Sequence, residues 1–286
     1  VFGGNAVYAA SAFNRTDWAN VFVGKSGDWA STSNWENYNN PTAPLATPYN
    51  TTWSSYEPCL LDGNNIALAA GNDGYKSITA GNLDGTSMTI GVANGVSLAI
   101  GTIKSKLSSS TFYVDETSKL SFALDTQDGN FSVSGNNDFH IDAAEGLKIN
   151  GNLISGTYRF YLGEKGSVVI GKNVNVPRNV LFPEVKIKVA SPKATGRKIA
   201  SRTLMTYAYK GGQLGLSSVS DVGGMTLTKK DSITTADPIG TYCFEETSTA
   251  AIVKWVEGDE HGGSDDPAPT PTGKGEIISV NIQQTT

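Results

Sequence analysis

The sequence is poor in charge, in histidine and in cysteine, and it has no long apolar run. Only 17% of its 286 residues are charged. No apolar stretch approaches the roughly 18 residues of a membrane-spanning helix, so no span is expected. The two histidines, His140 and His261, stand far apart. No Ser/His/Asp grouping, no metal-spaced His/Cys cluster and no phosphate-binding glycine loop stands out. GKNVN and GGNAV are too short to serve as one. The reading is therefore that the chain is not an enzyme and carries no cofactor. Basic excess is also lacking: the net charge is −5, which sets nucleic acid aside as a partner. Cys59 and Cys243 leave two alternatives, isolated buried thiols or one long-range disulfide in an extracellular setting. Helical periodicity is missing over any useful length. The chain starts with Val, and no charged segment leads into an apolar one, so a secreted protein is expected to have lost its signal already.

What is present is a repeat. SMTIGVANGVSLAI (87–100), TFYVDETSKLSFAL (111–124), DFHIDAAEGLKI (138–149) and RFYLGEKGSVVI (159–170) share one pattern. Each opens on an apolar–x–apolar strand: Met88/Ile90, Phe112/Val114, Phe139/Ile141 and Phe160/Leu162. After a small or polar turn a second such strand begins at Val96, Leu120, Leu147 and Val168. Unit starts at 88, 112, 139 and 160 lie 24, 27 and 21 residues apart, so the unit is constant and its connection varies. Internal repeats outrank other fold signals. Alternation with period two puts one face in and one face out. The expected fold is all-β, a single-stranded parallel β-helix (β-solenoid) with an N-terminal aromatic cap and a C-terminal extension strand.

Four segments follow from this. Residues 1–58 hold four of the five tryptophans, Trp18, Trp29, Trp35 and Trp53. They are expected to plug the first coil, as solenoids require; a sugar-stacking platform is the alternative. Residues 59–256 form the body, with LLDGNNIALAA near its start read as apolar segments about a Gly-Asn turn. Past residue 180 the strands lengthen and are expected to run antiparallel and close the far end, a separate small sandwich being the alternative. Residues 181–256 carry ten Lys/Arg against six Asp/Glu, and include the basic turn SPKATGRK. Residues 257–275 are an acidic Pro/Gly linker with five acids in 257–266, too polar to fold alone. Residues 276–286 form a lone strand, in which Ile277 and Ile278 are followed by the alternating Val280 and Ile282.

The segment VFVGKSGDWASTSNWENYNNP and the repeats after it resemble extracellular β-helix proteins with autotransporter-associated or PEP-CTERM-type strand repeats. The matching positions are Gly24, Gly27, Trp29, Asn34, Trp35 and Pro41, with Phe22 or Val23 where that pattern opens on Trp. RTLMTYAYKGGQLGLSSV and AAIVKWVEG resemble the family's closing segments, so the likeness covers about residues 20–257. It implies a right-handed solenoid, secreted and held at the cell surface, and it implies no activity. Where the family carries a sorting helix or a translocating barrel, this sequence has the linker and lone strand.

Candidate sites remain. The outward positions Thr89, Tyr113, His140 and Tyr161 would stack as a ladder, worth a few tenths of a kcal/mol per contact. Trp29, Trp35, Tyr113 and Tyr161 are the candidates for stacking on surface glycans. Asp115 and Asp142, at equivalent turns about 4.8 Å apart if stacked, are the candidates for Ca²⁺, with Glu116 and Asp138 near; Gly91 and Gly163 are expected at that turn in the adjacent units. The expected function is a structural subunit of an extracellular fibre or surface assembly, whose partners are other copies of itself joined through Ile277, Ile278, Val280 and Ile282. The alternatives are a secreted carbohydrate-binding or polysaccharide-cleaving β-helix protein and a monomeric surface adhesin.

Overall fold

A computed structural model describes residues 18–24, 26–37, 58–70, 75–83, 87–103, 107–122 and 129–259. Trp53, most of the acidic linker and the segment holding Ile277, Ile278, Val280 and Ile282 lie outside the described residues. Among the described residues the protein is mostly β, with two long sheets of fourteen and nine strands and one short α-helix. No helix among the described residues is long and apolar enough to cross a membrane.

The repeat pattern dictates how the chain is threaded. Each apolar–x–apolar segment can bury only one face, so it needs a neighbour of the same kind. The chain supplies one by crossing from sheet to sheet. Thr89–Ala93, Thr111–Val114, Asn130–Ile141 and Asn152–Leu162 belong to the first sheet. Ser97–Ile103, Lys119–Phe122, Leu147–Ile149 and Val168–Ile170 belong to the second. Every strand pairs parallel with the equivalent strand of the unit before it.

Register corrects the sequence reading of the first unit. Ile90, not Met88, lies beside Phe112, and Leu98, not Val96, lies beside Leu120. Met88, Ile90 and Val92 are all inward and all buried. A slip of two residues leaves every side chain on its own face, so alternation alone is blind to it. The turn decides. The amide of Asn94 donates to Asp115 Oδ2 at 2.7 Å, and that of Gly95 donates to the hydroxyls of Thr117 and Ser118 at 3.0 and 3.1 Å.

With that register the core is a set of columns. Phe112 stacks on Phe139 at 5.3 Å, and Phe139 on Phe160 at 5.3 Å. Phe182 extends the run 6.0 Å beyond Phe160. Leu98, Leu120, Leu147 and Val168 form the facing column in the second sheet, all buried. Full burial of a ring of this size contributes about 1.5–3 kcal/mol.

Two further expectations are revised. Residues 63–70 form a helix rather than strand and turn. The Asp62 carboxylate caps it by accepting the Asn64 amide at 2.9 Å, while Ile66 is buried in the core. Beyond residue 180 the strands are of both kinds. Val180–Phe182 and Val185–Ile187 join the first sheet in parallel. Arg197–Thr206 joins the second sheet in parallel and pairs antiparallel with Ala250–Gly258, which pairs antiparallel with Thr241–Glu246. All belong to the same two sheets, so no separate sandwich forms.

Phe139→Ala empties the middle of the stacked column and should cost about 3–5 kcal/mol in urea unfolding, whereas Ile149→Val should cost about 0.5–1.5 kcal/mol. Equal losses would contradict a core organised on that column.

Candidate functional site

The best-formed group of side chains outside the core lies on the outer face of the first sheet. Gly91, Tyr113, His140 and Tyr161 occupy one column there. Thr89, expected at its head, lies instead in the next column with Thr111, Asp138 and Arg159. Parallel pairing in register places like positions one strand spacing apart, and planar rings at that spacing stack. Tyr113 and His140 are 4.6 Å apart, and His140 and Tyr161 4.4 Å apart with planes 10° from parallel.

Gly91 explains how the ladder starts. A Cβ there would stand 2.6 Å from the Trp18 ring, so only glycine admits that indole. Trp18 meets Tyr113 edge-on at 6.2 Å and covers Val21, Leu60 and Ala93. Beside the rings, Arg159 forms a two-pronged ion pair with Asp138, with Nη2 2.6 Å from Oδ2.

The rings meet face to face, so His140 is covered on both sides and Tyr161 on the side facing His140. A pyranose stacks on an open ring face. Trp29 and Trp35 offer none: both are buried and meet each other edge-on at 4.7 Å. The Trp35 indole N–H donates to the Trp29 carbonyl at 2.9 Å, and Phe22 lies 5.1 Å from Trp35. Of the four proposed sugar-stacking residues, Trp29 and Trp35 are committed to packing, while Tyr113 and Tyr161 stack on His140 from its two sides.

Asp115 and Asp142 share a column, as expected, but their environments differ. Asp115 is buried and saturated by its own turn: Oδ2 accepts from the Asn94 amide, and Oδ1 from the Thr117 amide and hydroxyl at 3.0 and 2.9 Å. Asp142 lies against Gly163, where a Cβ would stand 2.1 Å from Oδ1. The preceding unit supplies Ala93 to this column, not Gly91. Ca²⁺ takes six to eight oxygens, and one engaged carboxylate beside one open one is a poor start. Among the described residues no group of three or more His, Cys, Asp or Glu is placed to hold a metal.

Electrostatics set these neighbours apart. Burial, helped by Arg159 and Lys186, lowers His140 to about 4. Burial raises Asp142 to about 6, with Lys186 opposing and Asp115 and Glu116 assisting. Both groups are thus neutral near pH 5.

Cys59 and Cys243 are free and buried, which matches the isolated-thiol alternative rather than the disulfide. Cys59 lies near the start of the first sheet and Cys243 beyond Arg197–Thr206 in the second. Several strand steps of about 4.8 Å separate them, against a Cα separation of at most about 7 Å for a disulfide.

Three features escaped the sequence reading. At a buried corner Ser110, Asn137 and Tyr158 stack: the Ser110 amide donates to Asn137 Oδ1 at 3.1 Å, and Tyr158 donates to the Phe131 carbonyl at 2.9 Å. Asn130, Asn152 and Asn173 form an amide ladder, with Asn152 Nδ2 3.0 Å from Asn130 Oδ1 and the Asn173 amide 3.1 Å from Asn152 Oδ1. Their spacing of 22 and 21 residues, close to the repeat period, was the available signal. Arg202 donates through Nη1 to the carbonyls of Gly163, Glu164 and Lys186, and no local pattern marks it.

No family model matches the chain, no curated protein matches it, and no solved structure matches it.

Gly91→Val should displace Trp18 and cost about 1–3 kcal/mol, read as a fall in melting temperature. Titration gives a second test. His140 has a lowered pKa, so its contribution is present above about pH 6.5 and is lost as pH falls toward 4. Asp142 has a raised pKa, so its contribution is present at low pH and is lost as pH rises through about 6. Relative to the parent, His140→Phe should gain stability between pH 6.5 and 4, and Asp142→Asn should lose it. Each change should amount to about 1–3 kcal/mol, at the lower end for the partly solvated Asp142. Parallel pH profiles for all three proteins would contradict the assignment.

Proposed function

We propose that the protein is a structural subunit of an extracellular fibre or surface assembly. In this reading the two sheets are the walls of a single-stranded parallel β-solenoid, and residues 276–286 insert as a strand into a neighbouring subunit. The observation that carries it is the unit-on-unit register: four units pair position for position. Their Phe, Leu and aromatic ladders then share one axis, which makes a rod rather than a cleft. The outer face supports the same reading, since its rings stack on one another and Asp138 pairs with Arg159. The tail adds an acidic linker followed by a strand with no sequence partner beside it. Adding a strand to a foreign sheet edge is an established recognition mode. The extracellular setting rests on the resemblance to surface β-helix proteins. For a glycan-binding role, Trp29 and Trp35 offer no open face, since both are buried against each other.

Deletion of residues 276–286 should leave the melting temperature of the body unchanged and convert polymers to monomers, measured by light scattering with negative-stain images. Polymers that survive the deletion would sink the reading.

A further inference from the structure

The sheet edge that receives the tail can be located, given the polymer reading just proposed. Arg197–Thr206 is paired along its length with Ala250–Gly258 on one side. On its other side only Met205 and Thr206 meet a strand, through Val168 and Val169. Among the described residues no strand flanks 197–201 there, so this part of the strand overhangs the preceding unit. Arg197, Lys198, Ile199 and Ser201 are exposed on it, Ile199 at 41%.

One other edge is partly open: at the far end of the second sheet Thr241–Glu246 meets Thr228–Lys229 only at Thr241 and Tyr242, and its unflanked part, Cys243 to Glu246, carries no cation. The remaining edges are interrupted or short. At the start of the first sheet, Trp35–Asn37 turns antiparallel. At the start of the second, the backbone of Gly27 and Trp29 bonds both polar groups of Thr79 in Ser77–Leu83, at 3.0 and 3.1 Å. At the far end of the first sheet the last strands are Tyr209–Lys210, Gly215–Leu216 and Val219–Asp221, each too short to seat an alternating segment. Short edge strands are a known protection against foreign pairing.

We infer that the overhanging edge at 197–201 takes residues 276–282 of a neighbouring copy. Charge supports the match. The turn 191–198 carries Lys193, Arg197 and Lys198 and no acid, with Lys198 also 3.5 Å from Glu257 of its own chain, whereas residues 260–276 ahead of the incoming strand hold Glu260, Asp265, Asp266 and Glu276 against Lys274. Like-charged edges repel one another, so the same cations keep two such edges from pairing and leave this one to an acidic-flanked strand. Length supports it too. The described chain ends at Asp259, whose amide bonds the Gly196 carbonyl at 3.1 Å. The sixteen residues 260–275 reach about 50 Å at roughly 3.3 Å each. A contact between two different surfaces of successive copies builds an open filament wherever its rotation does not close into a ring.

Cysteine pairing in the full chain tests this. Ser201→Cys combined with Ser279→Cys, or with Asn281→Cys, covers both registers of a docked strand. After oxidation, non-reducing gels should show a ladder of disulfide-linked multimers, and either single variant should stop at dimers. Lys193→Glu, at an exposed turn position, should raise the concentration needed for polymers several-fold with unchanged melting of the monomer. An intrachain disulfide in a monomer would place the tail on its own copy and overturn the inference. Polymers that form normally in both the cross-linking and charge-reversed variants, without cross-links, would overturn this edge while leaving the polymer reading in place. A parent protein that remains monomeric and yields no multimer ladder would overturn both.

Discussion

Everything in this structure depends on parallel pairing between equivalent strands of successive units. A strand of three to five residues buries too little to persist alone, and its backbone polar groups are satisfied only by the units before and after it. Register is therefore fixed along the whole axis, and each side chain inherits the neighbours of its position. The Phe112–Phe139–Phe160 column, the Tyr113–His140–Tyr161 rings and the Asn130–Asn152–Asn173 amides are three products of that one constraint. The interior column excludes water, the amide column closes hydrogen bonds that would be costly to leave open, and the ring column covers an outer face. Breaks in a column are as informative as its members. Gly91 omits a ring so that Trp18 can enter, and Gly163 omits a side chain where the Asp142 carboxylate lies.

Much of this was legible in the residues and some was not, for physical reasons. The inward columns could be read because burial forces period-two alternation. The absolute register of the first unit could not, because Met88, Ile90 and Val92 are interchangeable under a two-residue slip and only the Asn94–Asp115 turn distinguishes them. Residues 63–70 were misread because GNNIALAA is too short for a helical stripe to declare itself, and a single capping carboxylate tips it. The ring ladder was visible, yet its role depended on ring orientation, which no pattern encodes. Trp29 and Trp35 likewise look the same in sequence whether they wait for a sugar or fill a coil. Arg202 binds carbonyls from three places in the chain, a role set by tertiary approach alone.

The outer face also shows how one environment can treat two titrating groups in opposite ways. His140 and Asp142 sit two residues apart, and burial pushes each toward its neutral form. In water at pH 5 the same pair would be a cation and an anion. Here, near pH 5, the pair keeps the same net charge with neither group ionised, and the charges left beside the rings include the paired Asp138 and Arg159.

Mechanics follow from the antiparallel end. In the stacked units the backbone hydrogen bonds point along the axis, so tension applied along it separates strands in sequence. The chain leaves the body through Ala250–Gly258, which is bonded to Arg197–Thr206 from the Arg197–Gly258 pair to the Thr206–Ala250 pair. A pull on Gly258 directed along its own strand loads all of those bonds together, in shear. A pull across the strand opens them one at a time. The body is therefore strong or weak according to the angle at which its C-terminal segment is drawn, and that angle is set by whatever holds the other end.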